Sequence, residues 1–352
     1  MRKFDYSFLK RISVPADIMN SATSIYEMKA KAELRRSDFA EVFSAMESVA
    51  KIQSVKSSNA IEGIITTDKR IRDIVNKSTA PQGHNELEIA GYRDALDLIH
   101  GSYSEIPFSE KSILELHRIL LQPSGDDLAG RYKTEDNFIM ETDREGVRSV
   151  RFTPVPASET AFAMEQLILA YHAAYSDAEI NPLMLIPCVI LDLLCIHPFR
   201  DGNGRMSRLL SLLLMYKSGF NAGKYVSIEE QINTYKNYYY TSLQKSSERW
   251  HENDNNYFPF IENFLFDLKM SYFELDSRFA SLKDRKITKK QRIEELVTGS
   301  LLPVSKREIC EKLPDISVTT VEVELGRLLK SGEIEKIGNG RGTKYRAVIK
   351  GE

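Results

Sequence analysis

The sequence is short of several residue types, and each shortage narrows the class of protein. Among its 352 residues are three cysteines, 18 glycines, 12 prolines and one tryptophan. Three cysteines far apart make no disulfide framework, so reduced, buried thiols in a cytoplasm are expected. Because glycine and proline are sparse and long stretches of 3.6-residue periodicity dominate, the fold is predicted to be mainly α.

Long hydrophobic runs and a strong charge are also missing. The longest apolar run, residues 183–196, is broken by Pro187 and Asp192 and is too short to span a bilayer. Residues 1–19 contain no continuous apolar core of the kind that a signal peptide has. The prediction is a soluble, cytoplasmic protein without membrane contacts. Its net charge of −2 gives no chain-wide polyanion-binding signature.

Three segments with different patterns are predicted. They are an N-terminal helical region at residues 1–100, a helical core at 101–275 and a separate domain at 283–352. In the first segment two helices are expected, with a break near Ser37–Asp38, where a side chain can cap the second helix. In the second segment two strand-like runs flank Asp143-Arg144-Glu145-Gly146, which is the signal of a β-hairpin.

The third segment is basic and predicts a helix-turn-helix followed by a hairpin. From Lys283 onward the chain has 16 Lys/Arg and 11 Asp/Glu, a net charge of +5. Three short helices, around residues 290–297, 305–313 and 318–330, precede two strands on either side of Gly338–Gly342. This order is the winged-helix arrangement, an α+β fold that commonly binds DNA.

The last helix of that segment does not decide whether the winged helix binds DNA or protein. Val321, Leu325 and Leu328 are expected to face inward. Glu322 and Glu324 are expected to face outward, where carboxylates are poor neighbours for phosphates. The basic side chains of the predicted wing are Lys336, Arg341, Lys344 and Arg346. DNA binding and a protein-contact or dimerisation role are therefore about equally favoured.

The most informative stretch is residues 195–210, CIHPFRDGNGRMSRLL, which interrupts an apolar run with polar residues. Pro198 takes His197 out of helical geometry, and Gly202 and Gly204 allow a ligand to approach the backbone. The helix that follows begins with unpaired N–H groups and a positive end, both directed into the loop. These features predict an anion site.

The side chains of this stretch fit a magnesium-bound polyphosphate. Arg205 and Arg208 lie three residues apart on one helix face and supply planar donors for phosphate oxygens. Asp201, a carboxylate in a positive loop, suits Mg²⁺ that bridges to phosphates. Asn203 can donate or accept within the loop, and His197 can remove a proton near neutral pH. The combination predicts phosphoryl or nucleotidyl transfer.

The stretch from His197 to Arg208, HPFRDGNGRMSR, resembles the full signature of the Fic family, HPFx(D/E)GNGRxxR, at every fixed position. The resemblance implies a helical core in which the motif joins two helices. It also implies transfer of AMP from ATP–Mg²⁺ to a Ser, Thr or Tyr hydroxyl of a target protein, which can be the chain itself. His197 would be the base and Asp201 the magnesium ligand. The implied phosphate contacts are Gly202, Asn203, Gly204, Arg205 and Arg208.

Gly204 bears on the type of reaction that the resemblance implies. Family members that transfer the γ-phosphate carry lysine at this position and bind the nucleotide reversed. The glycine therefore favours nucleotidyl transfer over kinase activity.

Two other stretches resemble the surroundings of that motif in the family. Residues 130–156, GRYKTEDNFIMETDREGVRSVRFTPVP, resemble the flap hairpin, whose edge pairs with the target backbone by strand addition. The stretch departs at Lys133, where arginine is usual. YYTSL, with Tyr239 and Tyr240, resembles the segment on the adenine side, although core aromatics on a helix explain these two almost as well. The implied docking residues of the flap are Phe138, Ile139 and Met140.

Residues 57–64, SSNAIEGI, resemble the Fic inhibitory motif, (S/T)xxxE(G/N). Ser58 and Glu62 are one helical turn apart, and Gly63 can end the helix. A glutamate in the last turn opposes the helix dipole, so local stability does not explain it. The resemblance implies that Glu62 pairs with Arg208 and denies it to the γ-phosphate. Some relatives with this glutamate also remove AMP, and that activity is left open.

Other functions are left open by the residues themselves. A transcriptional regulator that only senses ATP would have no need of a base at His197, and an enzyme using UTP or GTP would differ in its base contacts. Homo-oligomerisation is also open. The remaining histidines show no metal-ligand spacing and are expected to be structural or on the surface. They are His84, His100, His117, His172 and His251.

Overall fold

The chain divides into two compact units, Met1–Ser277 and Arg278–Glu352. The predicted N-terminal region and helical core therefore lie within one unit. The second unit begins at Arg278, whereas the sequence pattern predicted that it begins at Lys283. The computed structural model describes residues 2–142, 146–284, 289–300, 303–313, 316–338 and 340–348.

The first unit is built from α-helices, which confirms the predicted fold class. Among the described residues no helix is both long and apolar enough to cross a membrane. The helices are Ala16–Asp38 (α1), Ala40–Ile61 (α2), Asp68–Val75 (α3), Gly83–Ser102 (α4), Glu110–Leu121 (α5), Ala157–Tyr175 (α6), Pro182–Ile196 (α7), Asn203–Lys217 (α8), Ile228–Thr234 (α9), Lys236–Ser247 (α10) and Phe258–Asp284 (α11), whose residues after Ser277 belong to the second unit.

Helix α7 is the apolar centre of this unit and packs between α6 and α8. Every residue from Leu183 to Ile196 is buried, which explains why the run is apolar all round. The helix begins where the Asn181 side chain accepts a hydrogen bond from the Leu183 N–H. It ends because His197 adopts a left-handed conformation, with φ 52°, ahead of Pro198. The predicted break in the apolar run is confirmed.

Asp192, the acidic residue of α7, is satisfied by residues that are distant in the sequence. Its carboxylate accepts hydrogen bonds from Tyr6 Oη at 2.8 Å, from Trp250 Nε1 at 2.6 Å and from Tyr257 Oη at 2.9 Å. Arg2 completes the set at 3.3 Å. Burial raises the pKa of Asp192, and these donors oppose that rise. The N-terminal segment is thereby fixed against the helix that leads into the motif.

Helix α2 is defined by its two ends. The break before it lies at Phe39, next to the predicted position, and the capping side chains predicted at Ser37–Asp38 lie outside the described residues. At the other end the Gly63 N–H donates to Ala60 O at 3.1 Å and the Ile64 N–H donates to Asn59 O at 3.0 Å. Gly63 has φ 80°, as this type of helix end requires. The prediction that Gly63 ends the helix is confirmed.

A single hairpin interrupts the described helices of the first unit. Its strands, Ile139–Thr142 (β1) and Arg148–Phe152 (β2), pair antiparallel with Met140 opposite Val150. This confirms the predicted hairpin. Residues 143–145 of its predicted turn lie outside the described residues.

The second unit combines short helices with a small antiparallel sheet of order β3-β5-β4. Its first strand, β3, was not predicted, and the two later strands flank the predicted glycine-rich turn. The elements in chain order are Lys289–Thr298 (α12), Val304–Ser305 (β3), Lys306–Lys312 (α13), Val318–Ser331 (α14), Ile334–Ile337 (β4) and Lys344–Ala347 (β5).

The faces of α14 agree with the sequence pattern at all but one position. Val321, Leu325 and Leu328 are buried, as predicted. Glu324, predicted to face outward, is buried as well, because it follows Val321 by three residues and precedes Leu328 by four. Arg327, one turn along the helix, forms an ion pair with it. The outward prediction for Glu324 is therefore wrong.

Candidate active site

The loop between α7 and α8 is held in shape by amide side chains that bond to its backbone. Asn203 Oδ1 accepts from the Phe199 N–H at 3.0 Å, and its Nδ2 donates to Phe199 O at 2.8 Å. Asn137, just before the hairpin, donates to the same carbonyl at 3.1 Å. Both polar groups of the Asn203 side chain are thus engaged within the loop. The backbone amide of this predicted anion contact is left for a ligand.

His117 of α5 supports the same loop from below. Its Nδ1 accepts the Gly130 N–H at 3.0 Å, so Nε2 carries the ring proton and donates to Asp201 O at 3.1 Å. The ring stacks on Phe199 with 3.7 Å between centroids. Burial lowers the pKa of His117 to about 4, so the ring is neutral at pH 7. His117 thus has the structural role that was expected for it, and this role is to position the loop of the motif.

The start of α8 presents free amides. Gly202 precedes the helix with φ 80°, and Met206 is the first residue whose N–H bonds back to it, at 2.8 Å. Within the described part of the chain, no backbone hydrogen bond engages the N–H groups of Asn203, Gly204 and Arg205. Three free donors at the positive end of a 15-residue helix suit an anion.

Arg208 is occupied by the end of α2. Its Nε donates to Ser58 Oγ at 2.8 Å, and its Nη2 donates to Ser58 O at 3.0 Å and to Glu62 Oε1 at 2.8 Å. The arginine side chain is 4% exposed, whereas that of Glu62 is 32% exposed. Burial alone lowers the pKa of Arg208, but Glu62 and neighbouring tyrosines outweigh it and the pKa is raised. The structure therefore brings the predicted inhibitory pair together.

Gly204 makes room for the inhibitory carboxylate. A Cβ atom at this position would lie 2.3 Å from Glu62 Oε1 and 3.1 Å from its Cδ. No side chain can occupy position 204 while Glu62 stays in place. The glycine thus admits Glu62 as well as any ligand that approaches the helix start, and the two compete for the same space.

Arg205 is held by carboxylates on the other side of α8. It is 1% exposed and forms an ion pair with Glu88 of α4, and its Nη2 donates to Asp201 Oδ2 at 3.3 Å. Asp201 keeps most of its side chain, 62%, in solvent. His84 contacts the second oxygen of Glu88 at 2.9 Å. Glu88 was not predicted, because an acidic residue on an amphipathic helix gives no sign of the helix it will meet.

His197 is oriented for proton acceptance. Its Nδ1 lies 3.3 Å from Leu194 O, and because a carbonyl only accepts, Nδ1 carries the proton and Nε2 has a free lone pair. Burial is the main cause that lowers the pKa of His197 to about 4, and the charge of Lys133 adds to it. The imidazole is therefore a neutral base at pH 7.

Lys133, the departure noted in the flap sequence, closes the end of α7. It is 4% exposed, and its Nζ donates to Asn137 Oδ1 at 2.7 Å and to Ile196 O at 3.3 Å. Its backbone N–H donates to Pro198 O at 2.9 Å. Burial lowers its pKa to about 8. Lysine here satisfies the last carbonyls of the helix that carries His197.

One cavity is lined by seven of the fourteen predicted site residues, and Ser58, Gly202 and Asn203 are among those outside its lining. It surrounds about 710 Å³ of space, with the open solvent at its mouth included. Arg205 and Asp201 do not line it, and of the flap residues only Ile139 does, since Phe138 and Met140 are exposed at 56% and 47%. Its lining includes Glu62, Ile139, Arg151, His197, Gly204, Arg208, Tyr239, Tyr240, Leu243 and Ser247.

Known proteins of one family are similar to this chain in sequence. The model of the Fic/DOC family matches residues 107–215. Protein adenylyltransferase Fic of Nematostella vectensis is 31% identical over 179 residues, covering 49% of this chain and 39% of that protein. Protein adenylyltransferase fic-1 of Caenorhabditis elegans is 30% identical over 194 residues, covering 53% and 33%. The chain thus spans less than half the length of the curated relatives it matches.

Solved structures show the same fold. A Fic family protein from Desulfovibrio desulfuricans G20 superposes with a TM-score of 0.64 at 20% identity, covering 97% of this chain and 98% of that one. Fic-1 from C. elegans gives a TM-score of 0.55 at 22% identity, over 76% and 74%. With the motif from His197 to Arg208 complete, these findings agree on one assignment. Residues 107–215, which contain the whole motif, are similar to the Fic/DOC domain.

Proposed function

We propose that this protein is an adenylyltransferase that moves AMP from ATP to a hydroxyl side chain of a target protein and is held inactive by its own α2. One observation carries the proposal: a single cavity contains a neutral imidazole, free helix amides and an arginine that Glu62 occupies. A base beside an anion site is what nucleotidyl transfer requires. The names of the curated relatives support the choice of AMP.

The chain's own residues account for the steps. His197 Nε2 takes the proton of the target hydroxyl as that oxygen bonds to the α-phosphorus. The bond between the α-phosphorus and the bridging oxygen to the β-phosphate breaks, and pyrophosphate leaves. The free amides of Asn203 and Gly204 hold phosphate oxygens, and Arg208 holds the γ-phosphate once Glu62 has left. Arg205, which is fixed by Glu88, supports the loop by its contact with Asp201.

The residues present fit a magnesium ion. Within the described residues, no group of three or more His, Cys, Asp or Glu side chains is arranged to hold a metal. Mg²⁺ in nucleotide sites commonly needs only one or two carboxylates, because phosphates and waters supply its other ligands. Asp201, exposed and beside the free amides, is the residue that would hold it. When bound, the ion would neutralise charge on the α- and β-phosphates.

The second unit is proposed to be a winged helix that contacts protein. Its α14 exposes Val318 and Val323 at 52% and 63%. Arg327 on the same helix is committed to Glu294, Glu324 and Glu333, which leaves it unsuited to phosphates. A DNA mobility shift that weakens with added salt would contradict this role. Three properties stay predictions from the sequence: DNA binding, homo-oligomerisation and the cytoplasmic location. The Arg341 side chain of the predicted wing lies outside the described residues.

Labelled ATP tests the enzyme directly. The chain with Glu62→Gly and the chain with Glu62→Gly and His197→Ala are incubated with ATP labelled at the α- or γ-phosphate, alone and with cell extract. We expect protein labelling from α-labelled ATP only, and only where His197 is present. Labelling from the γ-position would indicate a kinase. ATP binding without labelling by either chain would favour a sensor, and stronger labelling from GTP or UTP would replace AMP as the group transferred.

A further inference from the structure

Arg151 of the flap brings an unpartnered guanidinium into the site cavity. It lies in β2 and lines the cavity with His197 and Tyr240. Its Nε is buried without a hydrogen-bond partner, and no ion pair or cation–π contact joins Arg151 to the described part of the chain. A buried charged donor without an acceptor is costly, so a ligand that covers it would be stabilised. None of the roles proposed above uses this residue.

Two walls of the cavity are the hairpin and α10, and both present mostly flat or apolar side chains. Such walls accept a planar ring more readily than a hydrated phosphate. The hairpin wall is Ile139, Arg151 and Phe152. The α10 wall is Tyr239, Tyr240, Leu243 and Ser247.

Electrostatic coupling shows that Arg151 lies close to side chains of both α10 and α7. Burial raises the pKa of Tyr240, and Arg151 is among the cations that oppose the rise. Burial also raises the pKa of Cys195, again opposed by Arg151. The pKa of His197, which lies beside the helix amides, responds instead to Lys133, Glu62 and Asp201. Arg151 is thus close enough to α10 to influence it, although no cation–π contact joins it to Tyr240 among the described residues.

We propose that Arg151 is the flap's contact with the nucleobase, its guanidinium plane covering one face of the purine while the α10 wall covers the other. The inference rests on the proposed use of a nucleotide at this site. Guanidinium groups stack on aromatic faces, and the contact strengthens where water is excluded. Because every base has such a face, the contact supports affinity without choosing between purines.

Two probes separate the base from the phosphates. ATP and tripolyphosphate are titrated by calorimetry, in magnesium buffer, into the Glu62→Gly chain and into that chain carrying Arg151→Ala. We expect the Arg151→Ala change to raise the Kd for ATP about 10-fold, since a desolvated cation–π contact contributes roughly that much. The Kd for tripolyphosphate should stay within a factor of two.

Two further variants control for charge and folding. Arg148→Ala removes the same residue type from the same strand at an exposed position outside the cavity, and should alter neither Kd. Arg151→Lys keeps the charge without the plane and should recover only part of the ATP affinity. Equal melting temperatures for Arg148→Ala and Arg151→Ala would show that the hairpin folds in both.

The outcomes distinguish the inference from the proposed function. Equal losses for ATP and tripolyphosphate, or full recovery by Arg151→Lys, would make Arg151 a phosphate contact and overturn the inference. Unchanged ATP affinity with lost protein labelling would make it a target contact, with the same consequence. In each of these cases the proposed adenylyltransferase activity would not be contradicted. If neither the Glu62→Gly chain nor its Arg148→Ala control binds ATP, the proposed function fails and the inference with it.

Discussion

Two arginines on α8, one turn apart, are paired with glutamates in very different settings. Arg205 and Glu88 are 1% and 6% exposed, and α4, which carries Glu88, is packed against α5 and α8. Arg208 is equally buried, but Glu62 is 32% exposed and lies at the end of α2, ahead of a glycine turn. One pair belongs to the interior of the domain, and the other lies at an edge where its carboxylate can leave.

The two pairs differ in whether the glutamate can be removed without leaving a buried, unpaired arginine. Removing Glu88 would leave an uncompensated charge inside the protein, whereas removing Glu62 leaves Arg208 facing a solvent-connected cavity that a phosphate can fill. The same type of ion pair thus supports the loop on one side of α8 and, under the proposed function, withholds Arg208 from the nucleotide on the other. Exposure of the carboxylate, more than the distance to the arginine, separates the two roles.

The largest expected effect comes from breaking the interior pair. Glu88→Ala should lower the free energy of unfolding by about 3–5 kcal/mol, because Arg205 stays buried with only the largely exposed Asp201 carboxylate to pair with. Glu165→Ala, an exposed glutamate of α6, is the matched control and should cost less than about 1 kcal/mol. Urea unfolding of both variants measures this. A loss at Glu88 no larger than the control would remove the structural role of the pair.

Breaking the edge pair should have the opposite consequence for activity. Glu62→Gly is expected to raise AMP transfer by about 10- to 1000-fold, equivalent to about 1.4–4 kcal/mol of released inhibition. Initial rates with α-labelled ATP measure it, with Glu62→Gln as a control that keeps the size but not the charge. Equal rates for wild type and Glu62→Gly would show that the pair does not limit catalysis.

The sequence predicted those parts of the site that are contiguous in the chain. The residues from His197 to Arg208 form one unbroken loop and helix start, and Ser58 and Glu62 share one helical turn, so local spacing already carries their geometry. Glu88, His117 and Arg151 come from α4, α5 and β2. Nothing in a single sequence says that these segments meet around one loop, so their roles needed the packed structure.

Two further positions show the same dependence on packing at a smaller scale. Asn203 was predicted to donate or accept within the loop, and its side chain pairs with the peptide of Phe199, because an amide matches another amide with one donor and one acceptor. Glu324 was expected in solvent because it is charged, and helical spacing placed it inside with Arg327 as its partner. Residue type predicts what a group can bond, whereas packing decides which bond it makes.

Gly204 allows a finer test of the edge pair. In wild type Gly204→Ala should force Glu62 away from Arg208, since the new Cβ would lie 2.3 Å from its carboxylate. In the Glu62→Gly chain the same change meets no carboxylate and gains helix propensity of up to about 1 kcal/mol. We expect the two backgrounds to differ by about 1–2 kcal/mol in a double-mutant cycle of unfolding free energies. Additive effects would mean that position 204 and Glu62 do not share this space.

The smallest expected effect is on the pH dependence of the released enzyme. Because burial lowers the pKa of His197 to about 4, the base stays deprotonated above pH 5 and rates should not fall as pH decreases from 8 to 6. A histidine with the ordinary pKa near 6.5 would lose roughly fourfold over that range. The measurement is kcat/KM of the Glu62→Gly chain, which reports the free enzyme, with circular dichroism at each pH to follow folding. A fourfold decline with an intact fold would mean that solvent reaches the imidazole once Glu62 is gone, and that the edge pair also keeps His197 dry.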